Sequence, residues 1–390
     1  TTDSLPNGDI VYHWELTDEI PTYLASVAVG EYVKYEFTYQ GISRNIPVSI
    51  YVYPGQISAA SGTFQNLDTI LSSFEHHFGA YPWQRVGYVS VPFNSGAMEH
   101  ATNIAIPAAI IGGTSYETLI AHELSHHWFG DLFTCHNAEE MWINEGWATY
   151  SETLYKEWIK GELQAKNYRR TSHKNVLTGA HVDDNGFYSL DNVPLNVTYG
   201  TTSYEKGGSV VHALRHYMGD SLFYSTITQL LQTKAFDDIT SEEMRDSLSY
   251  YSGVDLTNFF ESRVFTKGFP HYKIDSFDIF FNGANYDVEV YVKQQSYGRT
   301  DIFNDNKVFI NFFDDDYNSI EKSFVFDNQT GSATFNIDFY PELILLDYHE
   351  KLSDARISES RIIEDAGYNN FYNTFFTGIA TVVPDTTFFR

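Results

Sequence analysis

His122-Glu123-Leu124-Ser125-His126, followed after 18 intervening residues by Glu145 in Asn144-Glu145-Gly146, decides how this chain is read. Successive residues of a helix turn by about 100°, so positions four apart share a face and both imidazoles reach a single ion. The five-residue pattern alone is short enough to arise by chance. Its surroundings add weight: Leu119, Ile120, Leu124 and Trp128 make the helix apolar enough to be buried, where unpaired His and Glu side chains are costly. A catalytic zinc takes three protein ligands and leaves one position open. Glu145 supplies the third, because 18 residues allow one helix to end, the chain to reverse and a second helix to present it. Glu123, next to a ligand and facing the open position, is then the general base for an attacking water.

Outward from this pair of helices the punctuation continues. Thr114-x-x-Glu117 and the spacing from Asn137 to Glu140 resemble helix-opening caps, while Gly130 and Gly161 fit helix ends. Helices are expected near 115–129 and 138–160, with others at 64–78, 204–218, 221–234 and 241–251. Toward the N-terminus, residues 23–29 and 48–53 are β-branched and aromatic runs separated by Gly and Pro. They are too few for an independent sheet domain, so they either extend the next domain or end a β domain that begins upstream. After Gly268-Phe269-Pro270, residues 286–292 alternate apolar and polar, and similar runs recur at 307–313, 322–326 and 333–346, which predicts a β-sandwich. Asp314-Asp315-Asp316 reads as a solvated turn between strands in preference to a calcium site.

Composition bounds the function. With 390 residues, two or three domains are expected, and 43% hydrophobic with 17% aromatic residues excludes a disordered chain. A formal charge of −27 argues against nucleic acid, since phosphate binding needs clustered Lys and Arg. Cys135 is the single cysteine, so no intrachain disulfide forms. No apolar run has the length of a transmembrane helix. The chain begins at Thr1 without methionine, from which a removed targeting segment and a secreted or periplasmic location are expected.

Four blocks resemble the M1-type (gluzincin) zinc aminopeptidase family, the family of aminopeptidase N and leukotriene A4 hydrolase. They are Gly96-Ala97-Met98-Glu99-His100, His122 to Trp128, Trp142-Ile143-Asn144-Glu145-Gly146-Trp147-Ala148, and Tyr204-Glu205-Lys206-Gly207, in matching order over roughly 20–270. The resemblance implies one zinc ion per chain held by His122, His126 and Glu145, and peptide substrates with a free N-terminus. It implies that Glu99, within the substrate-binding block Gly96, Ala97, Met98, grips the substrate's α-amine. Tyr204 would stabilise the oxyanion.

The resemblance further implies an α+β architecture. A thermolysin-like, mostly helical zinc-peptidase domain with a small mixed sheet (56–270) would follow a remnant of an N-terminal β domain (1–55) and precede a β-sandwich domain (271–390). His100 and Asp131 stand where the family has Asn, Ala138 where tryptophan is common, and His136 has no evident task. The family's amine-binding glutamine would lie upstream of Thr1. A related endopeptidase or epoxide hydrolase, and a non-catalytic scaffold, are the rival readings. Glu99 argues against a pure endopeptidase, and the retained ligands and base argue against a scaffold. Oligomeric state is not readable from the sequence.

Overall fold

In the computed structural model, residues 2–352, 355–365 and 368–376 are described. A short hairpin of β1 (Thr2–Ser4) and β2 (Ile10–Tyr12) precedes a four-stranded sheet. That sheet runs β3 (Val33–Gln40), β4 (Asn45–Val52), β5 (Val86–Val91), β6 (Ile104–Pro107) in spatial order. β3 and β4 pair antiparallel, whereas β4, β5 and β6 run parallel. In β4 the alternation Ile46, Val48, Ile50, Val52 puts four apolar side chains into the core. β5 is buried along nearly its whole length, as a parallel strand covered on both faces must be. Its parallel link to β4 is made by α1 (Ile57–Thr63) and α2 (Leu67–Phe78).

The remaining helices, most of which share its core, are α3 (Glu117–Ser125), α4 (Trp142–Lys160), α5 (Glu162–Asn175), a single turn α6 (His181–Asp183), α7 (Gly207–Met218), α8 (Asp220–Thr233), α9 (Ser241–Ser252) and α10 (Thr257–Arg263). A parallel pair, β7 (Phe133–Cys135) and β8 (Asp237–Ile239), ties the loop after α3 to the start of α9. One continuous core runs from Ile46 in β4 through Trp128 and Trp147 to Phe260. Strands β3 and β4 belong to it, so residues 33–52 continue the sheet of the helical unit.

A second core lies between two antiparallel-rich sheets. One holds β13 (Thr330–Ile337), β10 (Tyr286–Tyr297), β9 (Phe269–Phe281), β15 (Arg356–Asp365) and β16 (Tyr368–Phe376) in that order; the other holds β12 (Ser319–Phe326), β11 (Asn306–Phe313) and β14 (Leu343–Leu346). Ile274, Val288, Val290 and Val292 from the first meet Val308, Ile310, Phe312 and Ile344 from the second, the interdigitation of a sandwich. The run at 333–346 is two strands broken before β14. Asp314 accepts from the backbone N–H of Asp316 and of Asn318, which makes the acidic run a turn between β11 and β12.

Several expectations are corrected. Residues 23–29 form no strand: Thr22–Leu24 is a 3-10 turn, and Val27 and Val29 are 87% and 91% exposed. Strand-like alternation without a neighbouring edge to pair with leaves the chain extended and solvated. α3 starts at Glu117 after Tyr116, with no side-chain cap from Thr114. Glu117 faces inward instead and accepts from Asn66 and Tyr155. The helix also ends at Ser125, short of 129. Residues 138–140 form a separate 3-10 turn, and the Asn137 amide donates to the Glu140 carboxylate without capping the backbone. α5 and the strands β3, β5 and β6 were not foreseen.

Candidate metal centre

α3 and α4 pack side by side and bring three side chains together. Glu145 Oε2 lies 3.2 Å from His122 Nε2 and 3.3 Å from His126 Nε2. One ligand atom from each residue falls within 4.8 Å of the others, and all three residues are buried. It is the one such group of metal-ligating side chains among the described residues.

The far side of each imidazole decides what the near side can do. His122 Nδ1 donates to Glu152 Oε1 at 2.7 Å, and His126 Nδ1 donates to the carbonyl of Phe129 at 2.9 Å. A ring that donates through Nδ1 carries its lone pair on Nε2, so both rings turn a ligating nitrogen toward Glu145. Glu152 is itself held by the Tyr168 hydroxyl from α5. The carboxylates also draw positive charge to this point. Burial alone depresses the pKa of His126, yet Glu99 and Glu145 outweigh it and push the value to about 10. Burial likewise opposes ionisation of Glu145, but His126 and His122 hold its carboxyl well below the usual range. Two imidazole Nε2 atoms, whose protons a divalent cation would displace, and a carboxylate in a buried triangle fit a tetrahedral zinc ion.

Glu123 lies beside this triangle, and its Oε2 is buried with no hydrogen-bond partner among the described residues. Burial raises its pKa to about 7, against the pull of His122 and His126. Tyr204 stacks on His122, ring centroids 5.9 Å apart and planes within 8°. Burial and the Glu145 carboxylate both oppose ionisation of its phenol, which stays a donor. The Gly96 to His100 block runs beside β6: Met98 and Ala105 exchange both backbone hydrogen bonds, at 2.9 and 2.8 Å. Gly96 is exposed, Ala97 and Met98 are half-buried, and Glu99 is buried. The charge of Glu99 is felt at His126, Glu123 and Tyr204. His122, His126 and Glu145 thus come together, with Glu123, Tyr204 and Glu99 within electrostatic or ring contact of them; Gly96, Ala97 and Met98 are placed only along the strand edge beside β6.

Other residues around this place were either not foreseen or singled out without a role. Glu152 stands seven residues after Glu145, hence on the same face of α4, and that spacing was readable. Asn144 accepts from Cys135 N–H at 3.0 Å and donates to Thr134 Oγ1 at 2.9 Å, fixing the loop after α3 against α4. Tyr23 reaches the same loop, 3.4 Å from the Gly130 carbonyl. Asp131 is fully enclosed, 3.6 Å from His127 Nε2, and burial holds its carboxyl well above the usual range. His100 is half-buried, with burial lowering its pKa. His136 pairs with Asp238 at 2.8 Å on the surface, away from the centre.

Residues 63–263, just over half of the chain, match the family described as Peptidase family M1 domain. The chain belongs to peptidase family M1. Aminopeptidase N of Streptomyces lividans is 28% identical over 283 residues, 67% of this chain and 32% of that protein. Aminopeptidase 2 of Candida albicans is 25% identical over 294 residues, 70% and 31% respectively. Rat aminopeptidase N is 29% identical over 244 residues, 56% and 25%. The chain thus spans between a quarter and a third of the length of these relatives. A crystal structure of Legionella pneumophila aminopeptidase A in complex with aspartic acid superposes with a TM-score of 0.73 at 19% identity, covering 92% of this chain and 42% of that one. The likeness is one of fold. Among the described residues no helix is long and apolar enough to cross a membrane.

Proposed function

We propose that this chain is a zinc-dependent aminopeptidase that removes residues from the free N-termini of peptides. The observation that carries the reading is the buried triangle of His122, His126 and Glu145 with the unpartnered carboxylate of Glu123 at its side. Zinc held there supplies Lewis acidity to polarise a peptide carbonyl. Glu123 takes the proton of the attacking water and passes it to the leaving amine, as general base and then general acid. The Tyr204 hydroxyl donates to the oxygen on which negative charge develops. Glu99 pairs with the substrate's ammonium, which fixes the scissile bond one residue from the chain end. In this reading the helical unit of about 56–270, its sheet completed by β3 and β4, is a thermolysin-like catalytic domain, and 271–390 is a β-sandwich domain beside it.

The test is a panel of amino-acid arylamides with N-acetylated counterparts, before and after dialysis against a strong chelator and again after zinc is returned. Free-amine substrates are cleaved, acetylated ones are not, and activity follows zinc. Glu99→Ala lowers kcat/KM for free-amine substrates by about 10² or more, the scale of losing a buried charge-assisted pair. Cleavage of blocked peptides at internal bonds by the parent chain would overturn the exopeptidase assignment. A folded sample that turns over with no bound metal would overturn the metal assignment.

A further inference from the structure

We propose that Asp184 is a positioning residue for Tyr204: its buried carboxylate anchors the turn that carries the phenol and so sets where the hydroxyl stands. The inference rests on the aminopeptidase reading and concerns how this chain meets that reading's geometric demand.

Tyr204 does not sit on a regular helix. It lies in Thr202–Lys206, a wide π-type turn leading into α7, the kind of single-turn segment that interrupts α-helices and often sits at functional sites. The opening N–H groups of any helical segment lack intrahelical partners. Here Asp184, 4% exposed and 17 and 18 residues earlier, supplies them. Its Oδ1 accepts from Thr201 N–H at 3.0 Å and its Oδ2 from Thr202 N–H at 2.6 Å and from the Thr202 hydroxyl at 2.5 Å. One carboxylate thus takes three donors from two adjacent residues and adds negative charge at the positive end of the turn. Gly200 is required by the same contact, since a Cβ there would stand 2.3 Å from Asp184 Oδ1. Farther along, the Lys206 ammonium donates to the Tyr188 carbonyl at 2.8 Å, and Ser172 donates to Glu205. The turn is therefore held at both ends, and between those holds the Tyr204 ring stacks on His122.

The consequence is kinetic. An oxyanion donor contributes only when it stands within hydrogen-bond reach of the charge that develops, so loosening its anchor lowers kcat and leaves KM nearly unchanged. Asp184→Asn keeps the size but turns an amide N–H toward one of the backbone donors. We expect kcat about tenfold lower, KM within about twofold, and zinc content unchanged. In hydrogen exchange, amides of residues 200–206 exchange faster while those of α3 and α4 do not. The deciding measurement is a double-mutant cycle with Tyr204→Phe. Once the hydroxyl is gone, Asp184→Asn costs little more; a purely structural role gives full additivity, which overturns the proposal. If Asp184→Asn does not yield folded protein, Gly200→Ala displaces the carboxylate and enters the same cycle. The two readings fail separately: an inert Tyr204→Phe sinks the role of Tyr204 in the aminopeptidase reading, whereas a crippled Tyr204→Phe beside a normal Asp184→Asn sinks only the positioning role.

Discussion

Gly146 of α4 and Gly207 of α7 touch backbone to backbone; a Cβ on either would stand 2.9 Å from the other's Cα. The contact sits between Glu145, one residue earlier on α4, and Tyr204, three residues before Gly207. It sets the separation of a ligand and a candidate oxyanion donor. Gly207→Ala forces the helices apart or bends one of them, and overpacking of this kind costs about 1–3 kcal/mol. A lower melting temperature together with reduced kcat at full zinc occupancy is expected. Unchanged melting and turnover would show that the helices yield without moving the site.

Glu123→Gln preserves volume and leaves the three ligands in place. Zinc content should match the parent, while arylamide hydrolysis falls by about 10² or more, the usual contribution of a general base. Turnover near the parent's would reassign the base.

Glu152 touches His122 only through Nδ1, so its effect is on the ligand's orientation and basicity. Glu152→Ala should weaken zinc binding by about 10- to 100-fold, the range for loss of such outer partners. Competition with a chromogenic chelator reads this directly, and an unaltered affinity would mean that packing alone orients the ring.

Two half-buried imidazoles give the fold an acid limit. Burial lowers the pKa of His77 to about 4 and of His216 to about 2, below the ordinary value near 6.5. The unfolded chain therefore binds these protons first, and stability rises with pH wherever it binds more of them. Their contribution is fully present above about pH 6.5 and is lost as pH falls toward 4, with His216 continuing the loss below that. Thermal melts of the parent and His77→Phe from pH 7 to 4 check this: the variant's melting temperature should fall less steeply. Parallel curves would remove His77 from the account.

The grouping of His122, His126 and Glu145 was legible because its logic is local. A four-residue spacing sets two rings on one face, and hydrophobic neighbours bury them, whatever the rest of the chain does. Glu152 was legible by the same periodicity from Glu145. Asp184 was not, because nothing near it in sequence says that the chain returns to place residues 201 and 202 against it. Val27 and Val29 failed in the opposite sense: their alternation suits a strand, but a strand needs an edge, and which edges remain open is settled by tertiary packing. The caps proposed at Thr114 and Asn137 lost to burial, Glu117 finding Asn66 and Tyr155 in the interior.

α4 carries Glu145 toward the centre and, two turns later, the carboxylate that steadies His122. One residue inserted between them would swing Glu152 through about 100° and advance it by about 1.5 Å, taking it off the imidazole altogether. Substitutions along this stretch disturb the site by degrees; a change in its length disconnects it. For the six positions from 146 to 151 the molecule thus keeps count before it keeps composition, and a single-codon insertion or deletion there is expected to be more damaging than most replacements of the residues themselves.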